Sequence, residues 1–225
     1  MRVYFVMDIR NGICVLAERG EREKYKPVAE KSSIVKRSDP IEVVKIVKPK
    51  YLYIADLDRI ERRGNNLRLI EHLNDFVDEL IADCGFRSED ELNVEFKPVI
   101  ATETFDITKL ESIDKKCYVS LDFKEKFLDS SGKFKDWREA VEFLNSIDIE
   151  GLIVLTIHTV GTGKPDFDLV KDVIELSEHR VLLGGGVGNI EHLEKAKEIG
   201  CSGVLIATAV HKGLIPVEIV RRGKF

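Results

Sequence analysis

The sequence predicts an α/β protein, a (β/α)8 or TIM barrel formed as one domain. Three observations carry that expectation. Short apolar segments alternate with helical patterns along the whole chain, the second half of the chain repeats the first, and a glycine-rich turn, Leu183-Gly184-Gly185-Gly186-Val187-Gly188-Asn189, joins a buried strand to a helix. At 225 residues the chain is near the low end of the size such a barrel needs.

In chain order, Val3–Asp8 reads as the first strand and Ile9–Asp39 as a long polar connection rich in Lys and Arg. Asp39 as cap and Pro40 at the first helical position open a short helix, Pro40–Val47. Tyr51–Asp56 is the second strand and Leu67–Phe76 its helix; Glu79–Asp83 is the third, followed by a helical turn over Ser88–Leu92. Pro98–Ala101 is the fourth strand, with a helix near Ile107–Ile113. Cys117–Asp122 and Leu152–Thr156 are the fifth and sixth strands, each followed by an amphipathic helix, Trp137–Ile147 and Asp168–Ser177. Val181–Leu183 is the seventh strand; Asn189 caps the helix that carries Ile190, Leu193 and Ala196 on one face. Gly203–Ala207 is the eighth strand, and a closing helix lies near Pro216–Arg221.

The repeat runs in four blocks. YFVMDIR from Tyr4 aligns with YVSLDFK from Tyr118, laying Asp8 over Asp122; LYIADLD aligns with LIVLTIH, laying Asp56 over Thr156. LIADCGFRSEDEL aligns with VLLGGGVGNIEHL, laying Gly85 over Gly186, and VIATETF aligns with LIATAVH. Two half-barrels, about 1–113 and 114–225, follow from this, with no linker between them.

Composition removes several classes. A net charge of −5 does not suit a nucleic-acid-binding protein. No apolar run approaches a membrane span, and with the first strand beginning at Arg2 no signal peptide is expected. Cys14, Cys84, Cys117 and Cys201 are widely spaced with no CxxC pair, so a reduced cytoplasm is expected and a zinc site is not.

The glycine turn is the first candidate site. Glycines between a strand and a helix let bare backbone approach a ligand with its N–H groups pointing at it, an arrangement suited to phosphate. Gly185, Gly186 and Gly188, with Ala207 and Thr208 at the end of the eighth strand, are the expected phosphate ligands. Asp8 and Asp122, both ending apolar strands, fall at matching positions of the two half-barrels, where a carboxylate is an unusual resident. In the long first connection, Arg10, Arg19, Arg22, Lys24 and Lys26 suggest a lid that closes over an anionic substrate.

The segments DIRNGICVLAERG (Asp8–Gly20), ADLD (Ala55–Asp58), SLD (Ser120–Asp122), LGGGVGNIEHL (Leu183–Leu193) and GVLIATAVHKG (Gly203–Gly213) resemble the ribotide isomerase and sister cyclase of histidine biosynthesis, and the resemblance spans nearly the whole chain. It implies a half-barrel-duplicated barrel of the ribulose-phosphate-binding type. It further implies a cofactor-free Amadori-type aldose–ketose isomerisation in which Asp8 and Asp122 move the protons, with the isomerase branch nearer than the cyclase. Thr156 matches a substrate-binding threonine. Asp56 and Arg19 join it as expected substrate contacts, although Asp56 and Asp58 serve equally well as backbone caps. Trp137 lies near the family's base-stacking tryptophan but reads better as core, and His158 as a backbone-satisfying strand end.

The chain departs from the family modestly after the eighth strand, where Ala207-Thr208 stands for the family's Gly-Arg or Gly-Ser, and more sharply at the second phosphate site. Where the family holds a second phosphate on glycines after the third and fourth strands, this sequence has Asp83 and Glu103, with Arg87 the nearest cation in sequence. A substrate with one phosphate is therefore expected, with no nucleic acid or membrane partner and the oligomeric state left open. The alternatives are a lyase or synthase on a singly phosphorylated sugar or triose, and a cyclase-type subunit fed ammonia by a glutaminase. Thr156 stands where a Schiff-base aldolase would need lysine.

Overall fold

A computed structural model describes residues 1–225. Eight parallel strands close into a barrel: β1 (Arg2–Arg10), β4 (Tyr51–Asp56), β5 (Glu79–Asp83), β6 (Lys97–Ala101), β7 (Tyr118–Phe123), β8 (Gly151–Thr156), β9 (Val181–Gly184) and β10 (Gly203–Ile206). Closure comes from β10 pairing with β1, Arg2 opposite Gly203 through Phe5 opposite Ile206. This is the TIM (β/α)8 fold.

The first connection is not an irregular loop. β1 continues to Arg10 and turns back into β2 (Ile13–Leu16), which pairs antiparallel with β1 and with β3 (Lys26–Pro27). Asn11 and Gly12, both at positive φ, make that reversal. The outer layer comprises α1 (Pro40–Val47), α2 (Leu57–Ile60), α3 (Leu67–Asn74), α4 (Trp137–Leu144), α5 (Phe167–Leu176), α6 (Ile190–Glu198), α7 (Thr208–His211) and α8 (Val217–Arg222). The connections after β5 and β6 carry only 3-10 turns, Glu89–Leu92 and Ile107–Ser112, where the sequence predicted a helix near Ile107–Ile113. Asp106 caps this segment through the amide and hydroxyl of Thr108, a local bonding pattern that competes with a regular helix.

Inward residues fill the barrel: Tyr4, Tyr53, Ile81, Val99, Tyr118, Ile153, Leu182 and Leu205 are buried together. The N-terminal end is sealed by polar groups. Glu79 accepts hydrogen bonds from Tyr4, Arg2 (2.9 Å) and Lys97 (2.9 Å); Lys97 and Arg180 both reach Glu150; and the Tyr4 and Tyr118 hydroxyls lie 3.3 Å apart. The opening is therefore at the C-terminal ends of the strands, where this fold places its chemistry. No helix is long and apolar enough to cross a membrane.

Candidate active site

A cavity of about 220 Å³ opens at that rim. Asp8 from β1, Asp83 from the end of β5, Glu103 just past β6 and Asp122 from β7 all line it. Parallel register brings the first two together: Asp8 lies opposite Ala55 of β4, which lies opposite Asp83.

Their surroundings differ. Asp122 is buried, accepts the Ser120 hydroxyl at 2.6 Å and the Glu103 amide at 3.0 Å, and its carboxyl is pushed up to about 8 by burial and by the nearby Asp83, against those two hydrogen bonds. Asp8 is half-buried, its backbone is paired with the neighbouring strands, and its carboxylate accepts no hydrogen bond from the protein. Burial raises it to about 7, with Arg22 and Arg10 pulling the other way and Asp83 adding to the rise. Asp83 is raised to about 7, chiefly by burial; the Gly85 amide, 2.8 Å from its Oδ1, lowers it and Glu103 raises it. Close carboxylates in a partly dry pocket share protons for this reason.

The cation that makes the cluster tolerable comes from the first connection. Arg22, on a 3-10 turn over Arg22–Lys24, crosses the mouth and binds Glu103 with both terminal nitrogens, at 3.1 and 2.7 Å. Burial works against the Arg22 charge, but the paired Glu103 more than offsets it and Arg22 stays protonated. Arg10 anchors this turn by donating to the Arg22 carbonyl and, at 2.8 Å, to Glu61. Ala17, Arg22 and Tyr25 all line the cavity, so the connection sits over the mouth. Its close fit to the segment after β8 depends on two glycines. A Cβ on Gly20 would lie 2.5 Å from Ile157, and one on Gly161 would lie 2.5 Å from the Ala17 carbonyl. Arg87 does not serve the cluster; its guanidinium binds the carbonyls of Gly85, Arg59 and Ile60 away from the cavity.

The glycine turn lines another part of the same cavity, with Gly185, Gly186, Gly188, Ala207 and Thr208 joined by Gly161 and Gly163. Gly185 and Gly186 have φ of +97° and +75°. A Cβ on Gly185 would sit 2.6 Å from the Thr156 carbonyl, and one on Gly186 the same distance from Lys164 backbone. The backbone N–H groups of Gly185, Gly186, Val187, Ala207 and Thr208 donate to no group within the protein. Gly188 differs from expectation here: its N–H donates to His192 Nδ1 at 3.1 Å.

The three expected substrate contacts do not line the cavity. Asp56 is buried and fully used as a cap, accepting the Arg59 amide (3.2 Å), the Asn66 amide (2.9 Å) and the Asn66 side-chain amide (2.7 Å). Thr156 hydrogen-bonds Thr159 Oγ1 at 2.7 Å and the Gly184 carbonyl at 3.3 Å, which makes it a support for the glycine turn. Arg19 takes a left-handed conformation, φ +53°, so that its amide reaches the Val160 carbonyl, and its side chain is exposed. Asp58 holds the Asn11 amide at 2.7 Å and thereby steadies the β1–β2 reversal. Trp137 is in the core, and His158 is exposed outside the cavity. The sequence singled out Arg22 only as one of five basic residues and gave no signal for Tyr25.

A barrel with carboxylates and a glycine turn around one C-terminal cavity defines a (β/α)8-barrel protein with a candidate small-molecule site at its rim. Residues 2–216 match the family model described as "Histidine biosynthesis protein", and the chain belongs to that family. An uncharacterized protein of Methanocaldococcus jannaschii is 36% identical over 231 residues, covering 97% of this chain and 96% of the relative. The 1-(5-phosphoribosyl)-5-((5-phosphoribosylamino)methylideneamino) imidazole-4-carboxamide isomerase of Caldicellulosiruptor bescii is 25% identical, covering 98% of each chain. The isomerase of the same name from M. jannaschii is 23% identical, covering 94% of each. One organism thus carries two relatives, and this chain is nearer to the one that does not bear the isomerase name.

Proposed function

We propose that this protein is a cofactor-independent aldose–ketose isomerase of the Amadori type, acting on a sugar or ribotide that carries a single phosphate. The observation that carries the reading is the pair Asp8 and Asp122, which line one cavity with carboxyl pKa values pushed up to about 7 and about 8 by unlike surroundings. Both carboxyls are raised toward neutral pH, where one can give a proton while the other takes one.

In the proposed reaction Asp122 gives its proton to the ring oxygen as the C1–O bond breaks, leaving a C1=N bond. Asp8 takes the C2 proton and the electron pair forms an enaminol. Asp8 returns its proton to C1 while the C2 hydroxyl gives its proton back to Asp122, leaving a ketone at C2 and both carboxyls as they began. The phosphate sits against the unpaired N–H groups of Gly185, Gly186, Val187, Ala207 and Thr208, next to Lys212. The closer kinship to the second M. jannaschii relative than to that organism's isomerase supports a substrate other than the two-phosphate ribotide. A cyclase role gains no support from the barrel floor, which Tyr4, Tyr118 and the Glu79 and Glu150 ion pairs fill.

The test is NMR in D2O with a panel of aminoaldose monophosphates. The expected result is ketose formation, with deuterium at C1 to the extent that the Asp8 carboxyl exchanges with solvent before returning its proton, and a rate lowered about 10²–10⁴-fold in each of Asp8→Asn and Asp122→Asn. Full rates in both variants, or turnover confined to the two-phosphate ribotide, contradict the reading.

A further inference from the structure

Gly85 aligns with Gly186 in the repeat, yet the two turns do opposite things. At the β9 turn the backbone N–H groups are open to the cavity. At the β5 turn the Gly85 N–H is already donated to Asp83 Oδ1 at 2.8 Å, and the glycine is packed so tightly that a Cβ would lie 2.7 Å from Ile60 Cα. No face of that turn is left for an anion. What reaches the cavity instead is Asp83 itself. It is 5% exposed, and its second carboxylate oxygen has no hydrogen-bond partner in the protein.

Asp8, Glu103 and Asp122 line the same space. Arg22, which lines the same space, is paired with Glu103 alone, and both its terminal nitrogens are committed to it. An anionic group could use Arg22 only by stranding Glu103 in a half-buried position, a costly exchange. An ammonium has the opposite balance: it supplies donors that Asp83 and Asp8 lack, and it leaves the Arg22–Glu103 pair intact. No three of these side chains are disposed to hold a metal ion.

We propose that Asp83 and Glu103 make the end of the cavity beside β5 and β6 a subsite for a cation, so that the ligand is a monophosphate with a primary amine at the end opposite its phosphate. The phosphate end rests on the proposed function above; the amine end rests on Asp83 at the β5 turn and on the Arg22–Glu103 pair, which keeps Arg22 from an anion.

Calorimetric titration of the intact protein tests both ends separately. The probes are inorganic phosphate, glucosamine 6-phosphate, glucose 6-phosphate, 6-phosphogluconate and fructose 1,6-bisphosphate. The amino sugar is expected to bind about tenfold more tightly than glucose 6-phosphate, as one charge-assisted hydrogen bond gives, with the carboxylate and bisphosphate weakest. Asp83→Asn, whose amide oxygen still accepts from Gly85, and Glu103→Gln should each narrow the amine preference to about twofold. Phosphate binding with equal sugar affinities, tighter binding of the bisphosphate, or an amine preference that survives both substitutions overturns the amine subsite. Failure of the unaltered protein to bind inorganic phosphate removes the phosphate end and this proposal with it.

Discussion

Asp8 and Asp122 illustrate how the surroundings of a residue set its chemistry. Both are aspartates at the ends of apolar strands, but Asp122 is clasped by Ser120 and the Glu103 amide, while the Asp8 carboxyl lines the cavity and feels the charges of Arg22 and Arg10. With Asp8 as base and Asp122 as acid, kcat/KM should rise with pH as the pair loses its first proton near 7 and fall as it loses its second near 8. Asp122→Asn should remove the falling limb from a measured pH–rate profile; an unchanged bell would take Asp122 out of the acid role. These two carboxylates were legible in the sequence because a charged residue ending a buried strand is conspicuous. Asp56 and Thr156 end strands too, but position on a strand does not fix where a side chain turns, and both turn to backbone and neighbouring polar groups. Arg22 was hidden for a related reason. Which of several basic residues meets Glu103 depends on the path of the connection, and that path is set by contacts distant in sequence.

The first connection is the element that most changes between reading the sequence and seeing the fold. Its length and charge suggested a lid, while the β2–β3 pairing, the Gly20 and Gly161 contacts and the Arg22–Glu103 clamp have no local signature. The clamp is the long-range tie that reaches from this element to the β6 end. Arg22→Ala should therefore leave Glu103 unpaired and loosen the segment 17–26, measured as faster limited proteolysis there, whereas bound phosphosugar should slow cleavage of the unaltered protein. Identical cleavage in all three cases would contradict a lid. The β9 turn makes a second demand at this scale. Gly186→Ala places a Cβ at positive φ against Lys164 backbone, and thermal unfolding should register a loss of about 1–3 kcal/mol.

For the whole molecule, the barrel was legible because eight apolar strands and a four-block repeat leave few other architectures, while the two 3-10 crossings were not, since short connections give too little periodicity. The rim carboxyls leave a global mark on stability. Asp8, Asp83 and Asp122 stand well above their ordinary value of 3.8, so between that value and about 7–8 the folded protein holds protons that the unfolded chain has lost. Their contribution is present in full below about 4 and fades as pH rises through 7 to 8. Unfolding in denaturant should accordingly show stability falling with pH across that window, less steeply in Asp83→Asn. The central claim, one phosphate gripped at one side of the cavity, is tested most directly by a crystal structure with inorganic phosphate. The account predicts density against the N–H groups of Gly186, Val187 and Thr208 and none at the β5 and β6 turns; phosphate bound beside Asp83 and Glu103 would contradict it.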